Sequence, residues 1–331
     1  MNLPGASRVF LTGGAGFIGS HIVDLLAPTG IDITIFDNLS NGRREFIEPH
    51  LGRKNVKFVQ ADLRDADRTR KEMEGHDLVW HLAANTDIIS SHDHPENDLE
   101  ASVIGTFNTL NAMRQLKVRN MIFSSTGAVY GNICKDVTVS EAVGPLLPVS
   151  TYGAGKIACE AFISSFCNVY DLNAWMFRFG NVIGNRMTHG VIYDFLQRLK
   201  ADPSHLLIRG DGRQEKNYFL VEECIDGMAY GYANITFDED NPCDVYNLGT
   251  STITRVTDIA QIVVEELGLA GKAEIRIEGV KRAWPGDQPR VHFSPAKMSA
   301  KGWNSRKTSD ESVRIAVRRM LDKPGAQEFV L

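Results

Sequence analysis

A glycine-rich turn near the N-terminus restricts the possible folds more than any other feature of the sequence. The apolar run 8–11 is followed by Thr12, and the pattern Gly14-x-Gly16-x-x-Gly19 then leads into a helical stretch. Glycines at these positions permit a tight turn, and they let backbone N–H groups at a helix N-terminus approach a pyrophosphate. The spacing alone is weak support, whereas its place between a strand and a helix is the context such a site requires. The turn therefore predicts a dinucleotide-binding unit.

Strands and helices alternate through the first half of the chain. Near-continuous apolar runs, typical of strands covered on both faces, occur at residues 8–11, 33–36, 56–59, 78–81 and 121–123. Helical patterns lie between them, at residues 18–26, 63–73 and 99–116. This order predicts an α/β fold with a doubly wound parallel sheet of the Rossmann type.

The second half of the chain predicts a smaller lobe. A long helix at 151–169 and a strand at 174–179 complete a first, cofactor-binding domain over residues 1–180. Residues 181–216 and 255–331 are expected to form a C-terminal α/β substrate lobe. The stretch between them, 217–254, contains a strand at 244–248 and is expected to return to the first domain. A chain of 331 residues is long enough for two such lobes.

Composition excludes several classes of protein. Hydrophobic residues make up 43% and charged residues 23% of the chain, as in a soluble globular enzyme. The net charge of −5 gives no reason to expect a nucleic-acid partner. The N-terminus lacks the charged and apolar regions of a signal peptide or a membrane span. The chain contains five scattered cysteines without Cys-x-x-Cys spacing, which favours reduced thiols in the cytoplasm and no structural metal.

Two acidic positions after the second and third strands suit contacts with an adenosine. Asp37 ends the second strand, 18 residues after Gly19. A carboxylate there can accept hydrogen bonds from ribose hydroxyls and would repel a 2′-phosphate, which favours NAD over NADP. The neighbouring Arg43-Arg44 argues the other way, although a solvated loop explains it more simply. Asp62 suits an adenine contact, and a helix N-cap is an equally good interpretation of it.

The candidate catalytic groups lie on a helix and at a strand end. Tyr152 and Lys156 are spaced by four and share a helix face. A phenol has a pKa of about 10, and a neighbouring ammonium would lower the pKa. An ordinary surface pair is the alternative. The hydroxyls of 124–126 end the fifth strand, at the edge where such folds bind ligands, and one of them can hydrogen-bond an oxygen that loses its proton. A capping or turn role is the alternative for this run.

The glycine turn, the Ser-Ser-Thr strand end and the Tyr-x-x-x-Lys spacing occur in the order typical of the extended short-chain dehydrogenase/reductase family. The chain resembles that family over nearly its whole length. Within that family, residues 123–131 (FSSTGAVYG) look like the pattern of the UDP-galactose 4-epimerases, in which Thr126 matches the catalytic hydroxyl. Related dehydratases and decarboxylases have acidic residues where Gly127 and Ala128 stand, so the resemblance disfavours removal of water. The cofactor-binding residues predicted by the pattern and the resemblance are Gly13, Gly16, Phe17, Ile18, Gly19, Asp37, Asn38, Asp62, Leu63, Leu82, Ala83, Ala84, Ser124, Tyr152, Lys156 and Phe179.

Later segments extend the resemblance to the substrate side. The predicted substrate-binding residues are Ser125, Thr126, Tyr152, Asn181, Gly190, Val191, Lys216, Tyr218, Arg282 and Asp287. Lys216 and Trp284 stand where the family usually has Arg, and a lysine loses the bidentate fork of a guanidinium. Arg282 is the alternative diphosphate contact, and a surface-loop role is the alternative for Lys216 and Arg282. Val291 matches a position where a bulky residue narrows the sugar pocket, so its small size predicts room for an N-acetyl group.

The resemblance implies an NAD-dependent nucleotide-sugar 4-epimerase. Tyr152 and Thr126 would take the proton from the sugar 4-hydroxyl, Lys156 would hold the nicotinamide ribose, and a 4-keto sugar would turn before hydride returns. A UDP-hexose is the expected partner, and helices 99–116 and 151–169 are expected to form a homodimer interface. Three alternatives stay open: a sugar-nucleotide reductase or dehydrogenase, an epimerase acting at another carbon, and a sugar-nucleotide sensor without activity.

Overall fold

A computed structural model describes residues 3–87, 90–135, 137–280 and 288–322 of the chain. The strands are β1 (Arg8–Thr12), β2 (Asp32–Asp37), β3 (Val56–Gln60), β4 (Leu78–His81), β5 (Asn120–Thr126), β6 (Asn173–Phe179), β7 (Asn181–Ile183), β8 (His205–Ile208), β9 (Glu215–Lys216), β10 (Tyr218–Leu220), β11 (Cys243–Leu248), β12 (Thr254–Arg255), β13 (Glu274–Ile277) and β14 (Arg290–Val291). The α-helices are α1 (Phe17–Leu26), α2 (Ala66–Met73), α3 (Gly105–Leu116), α4 (Thr151–Tyr170), α5 (Val191–Ala201), α6 (Val221–Asn234), α7 (Val256–Glu266), α8 (Ala296–Ala300) and α9 (Ser309–Met320).

The central sheet of the described residues has seven parallel strands in the order β11-β6-β5-β4-β1-β2-β3. Its middle strands are almost wholly buried, and β4 is buried at every residue. Such burial on both faces explains why the predicted strands read as near-continuous apolar runs. The predicted parallel sheet of the Rossmann type is confirmed.

Helices cover both faces of this sheet. Helices α1 and α6 share one apolar core with the sheet, whereas α3 and α4 and the end of α2 share the core on the opposite face. The crossovers through α2, α3 and α4 therefore lie on one face and those through α1 and α6 on the other, as in a doubly wound fold. The carboxyl ends of β1, β4, β5 and β6 meet at one edge, which positions the candidate site.

A separate core forms in the second half of the chain. Helices α5, α7 and α9 pack around β7, β8 and β10, with Ile192, Leu206, Ile259 and Val313 among the buried side chains. The segment between, from α6 to β11, returns to the central sheet, because α6 packs on it and β11 pairs with β6. The small sheet β12-β9-β14 carries Lys216 and Val291.

Three local features bear on the helix starts predicted from the sequence. The helix predicted from residue 63 begins at Ala66, because the side chain of Asp65 caps it by accepting the Arg68 N–H at 3.0 Å. The helix predicted from residue 99 begins as a π-helical segment, Asp98–Ile104, and becomes α-helical only in α3. Helix α4 begins at residue 151 as predicted, with the Ser150 hydroxyl accepting the Gly153 N–H at 3.2 Å.

Two kinds of feature are absent from the ranges that the structure describes. No helix in these ranges is long and apolar enough to cross a membrane. Within the same ranges, no group of three or more His, Cys, Asp or Glu side chains lies close enough together to hold a metal ion.

Candidate active site

The glycine turn between β1 and α1 is packed too tightly for side chains. Gly13 has a positive φ of 68°, and its N–H donates to the Phe36 carbonyl at 2.9 Å. A Cβ on Gly13 would lie 2.8 Å from the backbone nitrogen of Ala83, which follows β4. The turn is therefore pressed against the neighbouring strand end, and only glycine permits both the dihedral angle and the approach.

The first turn of α1 is open to an anion. Gly16 is the N-cap and has no side chain to cap the helix, and the first turn carries no acidic residue. A Cβ on Gly19 would contact the Gly13 carbonyl oxygen and would lie 2.6 Å from Gly14 Cα. Phe17 and Ile18 are half-buried beside these N–H groups. The uncapped N–H groups and the space kept by glycine fit the pyrophosphate of a dinucleotide.

Asp37 lies at the end of β2 as a fixed acceptor. Its carboxylate accepts the Ala15 N–H at 3.0 Å and the Leu39 N–H at 2.8 Å. Burial raises the pKa of Asp37, and these two hydrogen bonds oppose the rise. Each oxygen keeps a further lone pair for a ribose hydroxyl. Arg44, the candidate for a 2′-phosphate, donates instead to Glu48 at 3.0 Å on the surface.

Asp62 and Asn38 meet at the next strand ends. The Asn38 side chain donates to Asp62 at 2.9 Å, and Arg64 donates to both Asp62 oxygens at 3.0 and 2.9 Å. The hydrogen bonds from Arg64 lower the pKa of Asp62 to about 2. The N-cap interpretation of Asp62 is wrong, because Asp65 caps α2. Leu63 is buried next to this pair.

A buried histidine, which the sequence patterns do not single out, links the glycine turn to α3. The Thr12 hydroxyl lies 2.7 Å from His81 Nδ1, and His81 Nε2 lies 2.9 Å from the Thr106 hydroxyl. Thr12 Oγ1 also accepts the Leu82 and Ala83 N–H groups at 3.2 Å, so its own proton is left for Nδ1. Burial lowers the pKa of His81 to about 3, so the ring is neutral. Leu82, Ala83 and Ala84 are half-buried beyond it.

The predicted catalytic residues come together at the end of β5. The Thr126 hydroxyl lies close enough to the Tyr152 phenol to lower the pKa of the phenol. Thr126 Oγ1 accepts the Ala128 N–H at 3.2 Å and keeps its own proton for a further acceptor. The Lys156 ammonium donates to the Ser124 carbonyl at 2.7 Å. At the sheet edge Lys156 is buried and Tyr152 is half-buried, so the surface-pair interpretation is wrong.

The pKa of Tyr152 differs from the sequence expectation. Burial raises the pKa of Tyr152 to about 12; the Thr126 hydrogen bond opposes the rise, and the charge of Asp98 adds to it. Burial lowers the pKa of Lys156 to about 8. The sequence predicts that Lys156 lowers the pKa of the phenol, but its ammonium is turned to a carbonyl and the desolvation of the phenol dominates. The protein groups alone therefore favour a neutral phenol.

The two serines before Thr126 connect β5 to neighbouring elements of the site. The Ser124 hydroxyl donates to the His81 carbonyl at 3.3 Å, and the Ser125 hydroxyl donates to Glu160 at 2.5 Å. Both belong to β5, so the capping or turn interpretation is wrong. The prediction that Ser125 binds the substrate is corrected by this geometry, because its buried side chain is held by α4.

The opposite wall of the site comes from β6 and β14. Thr126 lies beside Phe179 in the register of β5 with β6. A Cβ on Gly127 would lie 3.2 Å from Val291 Cγ1 and 3.3 Å from the Phe179 carbonyl. Val291 pairs with Lys216 across β14 and β9. The structure therefore brings Val291 directly against the residue that follows Thr126, with Lys216 on the adjacent strand.

The other predicted substrate residues are spread over the second lobe. Asn181 is half-buried, and its side chain donates to the Asn217 carbonyl at 3.4 Å. Gly190, with a φ of 101°, is the N-cap of α5, and Val191 is the first residue of that helix. Tyr218 is buried in the second core rather than exposed to a ligand. Arg282, Trp284 and Asp287 lie outside the described residues.

Comparisons with known proteins agree with this geometry. Residues 9–249 match the model of the NAD dependent epimerase/dehydratase family. A UDP-glucose 4-epimerase of Mycolicibacterium smegmatis is 34% identical and covers 81% of this chain and 85% of its own length. A putative UDP-glucose 4-epimerase of Methanocaldococcus jannaschii is 30% identical over 94% of this chain and 98% of its own length.

Solved structures show the same similarity. The UDP-glucose 4-epimerase of Thermus thermophilus, solved with NAD, is 32% identical, with a TM-score of 0.82 over 95% of this chain and 99% of the other. Nucleotide-sugar dehydratases and decarboxylases are also among the relatives, at 26–27% identity. The comparisons therefore identify the family and its cofactor, and they leave open which of its reactions takes place here.

Proposed function

Because this chain belongs to the NAD-dependent epimerase/dehydratase family, we propose that it is a UDP-hexose 4-epimerase. The central-sheet lobe would bind NAD, and the nucleotide sugar would lie between the sheet edge and the second lobe. The observation that carries the proposal is the hydroxyl pair of Thr126 and Tyr152, followed by Gly127 and Ala128. This site has a proton acceptor for an alcohol, and positions 127 and 128 supply no acidic pair to remove water.

The residues present fit the cofactor. A Cβ at Gly13 would collide with the backbone after β4, and one at Gly19 with the backbone of the turn, so glycine brings the chain into the tight turn that presents the uncapped N–H groups of α1 to a pyrophosphate. Asp37 offers fixed acceptors where the ribose of a dinucleotide lies in such folds. Bound NAD would supply a reversible hydride acceptor for C4 of the sugar.

The chain's own residues handle the proton and the position of the sugar. Tyr152, as phenolate, takes the proton of the 4-hydroxyl and gives it back after the 4-keto sugar has turned. The Thr126 hydroxyl, which lowers the pKa of the Tyr152 phenol, stabilises the phenolate that starts the cycle. Lys156, anchored on the Ser124 carbonyl, keeps further N–H donors for a cofactor ribose. No net oxidation occurs.

The small side chain of Val291 supports a pocket that admits N-acetylhexosamines as well as hexoses. Val291 is 7% exposed and packs at 3.2 Å from the Cβ position of Gly127. A larger side chain there would extend towards Thr126 and the bound sugar. Lys216 on the neighbouring strand would contact the diphosphate with a single charge.

Homodimer formation is part of the same proposal. Large apolar side chains are exposed on the π-helical segment and along α3 and α4: Leu99, Ile104, Phe107, Phe162, Val169 and Tyr170. Phe107 and Phe162 touch edge to face across the two helices, with ring centres 5.7 Å apart. An exposed apolar surface on two adjacent helices fits a second copy packed as a four-helix bundle.

The decisive experiment uses the purified protein without added cofactor. UDP-glucose and UDP-N-acetylglucosamine are incubated separately, and proton NMR follows the anomeric signals. We expect the galacto epimer from both substrates with wild-type protein and from neither with Tyr152→Phe. An unchanged spectrum from folded protein that retains NAD would refute the UDP-hexose assignment. In a parallel assay with added NAD(H), steady consumption of the cofactor without epimerisation would instead indicate a reductase or dehydrogenase.

A further inference from the structure

The catalytic face of α4 continues for one more turn, to Glu160. Tyr152, Lys156 and Glu160 are spaced by four residues, so they lie along one side of the helix. Each of them contacts one of three consecutive residues of β5, in the order Thr126, Ser124 and Ser125. The contact of Glu160 with Ser125 therefore lies next to the contacts of Lys156 and Tyr152, both along the helix and along the strand.

Glu160 forms a buried ion pair that neither motif predicts. Its carboxylate accepts Arg178 Nε at 3.0 Å and Arg178 Nη2 at 2.7 Å, in a bidentate arrangement. The side chains are only 9% and 5% exposed. The Ser125 hydroxyl adds a third hydrogen bond, at 2.5 Å. The helix is thus tied to β5 through Ser125 and to β6 through Arg178.

Arg178 extends the network to the neighbouring strand β11. Its Nη1 donates to the Tyr130 hydroxyl at 3.1 Å, and its guanidinium lies 4.9 Å from the centre of the Tyr130 ring. The Tyr130 hydroxyl in turn donates to Asn247 on β11 at 2.5 Å. Burial opposes the charge of Arg178, but the hydrogen bonds to Glu160 outweigh it and raise the pKa of Arg178. The guanidinium is therefore held by these partners on both sides.

We propose that the buried Glu160–Arg178 pair is a positioning device for catalysis, which holds α4 against β5 so that the Tyr152 phenol stays beside Thr126. The pair acts through Ser125, the residue next to Thr126, and not through the substrate or the cofactor. A buried ion pair is a poor source of net stability, because desolvation offsets the attraction of the two charges. The effect of this pair is instead geometric, because a bidentate guanidinium fixes the relative position of the two side chains. The inference rests on the proposed function only for the activity it is expected to support.

Substitution of only one residue of the ion pair would not distinguish a loss of protein stability from a displacement of α4. A single Glu160→Met variant leaves Arg178 buried and unpaired, which is strongly destabilising. The double variant Glu160→Met with Arg178→Met instead replaces the pair by apolar side chains of similar volume, an exchange that is often neutral or stabilising. It keeps the packing and removes the acceptor of Ser125. The matched control is Glu266→Gln, which weakens a buried carboxylate bound to Arg314 and Arg318 in the second lobe.

The experiment compares these variants for thermal stability, bound NAD, kcat and KM. We expect the double variant to keep its melting temperature and its NAD and to lose kcat by about 10- to 100-fold with little change in KM, since a displacement of about 1 Å can cost this much. Glu266→Gln should lower the melting temperature and leave kcat unchanged. A double variant with wild-type kcat would overturn the proposal, as would one whose kcat loss only follows loss of folded protein.

A crystal structure of the double variant separates this inference from the epimerase assignment. We expect the Thr126 and Tyr152 oxygens to lie about 1 Å farther apart than in the wild-type protein, whatever substrate the protein uses. An unchanged distance between these oxygens would overturn the positioning role even if the protein proves to be an epimerase. An increased distance in a protein inactive on UDP-hexoses would support the positioning role and show that the proposed function is wrong.

Discussion

Substitution of Gly19 by alanine should separate cofactor binding from folding. A Cβ at this position would lie 2.6 Å from Gly14 Cα, whereas ordinary van der Waals contact begins at 3.4 Å, so the turn and the helix must separate by about 0.8 Å. The same Cβ would contact the Gly13 carbonyl oxygen, and that oxygen accepts the Gly16 N–H at 3.1 Å. No flexible side chain is available to give way, because both obstacles are backbone.

The magnitude follows from the cost of such overpacking, which is typically about 1–3 kcal/mol. The displaced atoms are those that place the N–H groups of the first helical turn, so most of this cost falls on the geometry of the pyrophosphate site. Each 1.4 kcal/mol corresponds to about a tenfold change in a dissociation constant. We therefore expect Gly19→Ala to weaken NAD binding by about tenfold to a hundredfold and to lower the melting temperature moderately.

The assay measures NAD released by denaturation of the purified protein, as moles of NAD per mole of chain. Gly52→Ala is the matched control, because no atom lies within 4 Å of the Cβ position of Gly52 and its φ is not positive. Gly52→Ala should retain the wild-type NAD content. If Gly19→Ala also retained wild-type NAD content and affinity, the assignment of the glycine turn as the pyrophosphate site would be wrong.

Three further predictions concern charge, the pocket and assembly. Asp98→Asn removes a negative charge that raises the pKa values of both Tyr152 and Lys156, so both limbs of the kcat–pH profile should move to lower pH, and a shift to higher pH would contradict this electrostatic role. Val291→Phe should reduce turnover of UDP-N-acetylglucosamine more than that of UDP-glucose, and equal losses would show that this wall does not face the acetyl group. If wild-type protein sediments as the proposed dimer, Phe107→Glu should sediment as a monomer, and a dimer that persists in this variant would place the interface elsewhere.

Local patterns in the sequence are enough to predict the central sheet and most of the candidate catalytic residues. The strands of this sheet follow from apolar runs, because both of their faces are covered and nearly every residue contributes to burial. Tyr152 and Lys156 follow from their spacing and the run 124–126 from its strand position, whereas Thr126 within that run follows from the family resemblance. Boundaries are less predictable, because Asp62 and Asp65 are equally good caps by type and only packing selects Asp65.

Prediction of the supporting network needs information that no single segment contains. Arg178 stands in the otherwise apolar end of strand β6, and this signal alone indicates a buried partner for its charge. Glu160 lies on the catalytic face of α4, but its pairing with Arg178 depends on how α4 crosses the sheet. His81 gives a similar signal at the end of β4, and its links to Thr12 and Thr106 depend on three separate elements.

The pKa values connect these observations to a requirement of the proposed reaction. With a pKa of about 12, Tyr152 is protonated at neutral pH, and the neutral His81 adds no positive charge that would change this. Tyr152 can therefore act as a base only when a further positive charge lies near its phenol and stabilises the phenolate. The ring of oxidised NAD carries such a charge, so base strength in this protein should depend on cofactor binding. In a Gly19→Ala protein without NAD, the pKa of the Tyr152 phenol should then stay at about 12, although every protein group around Tyr152 is intact.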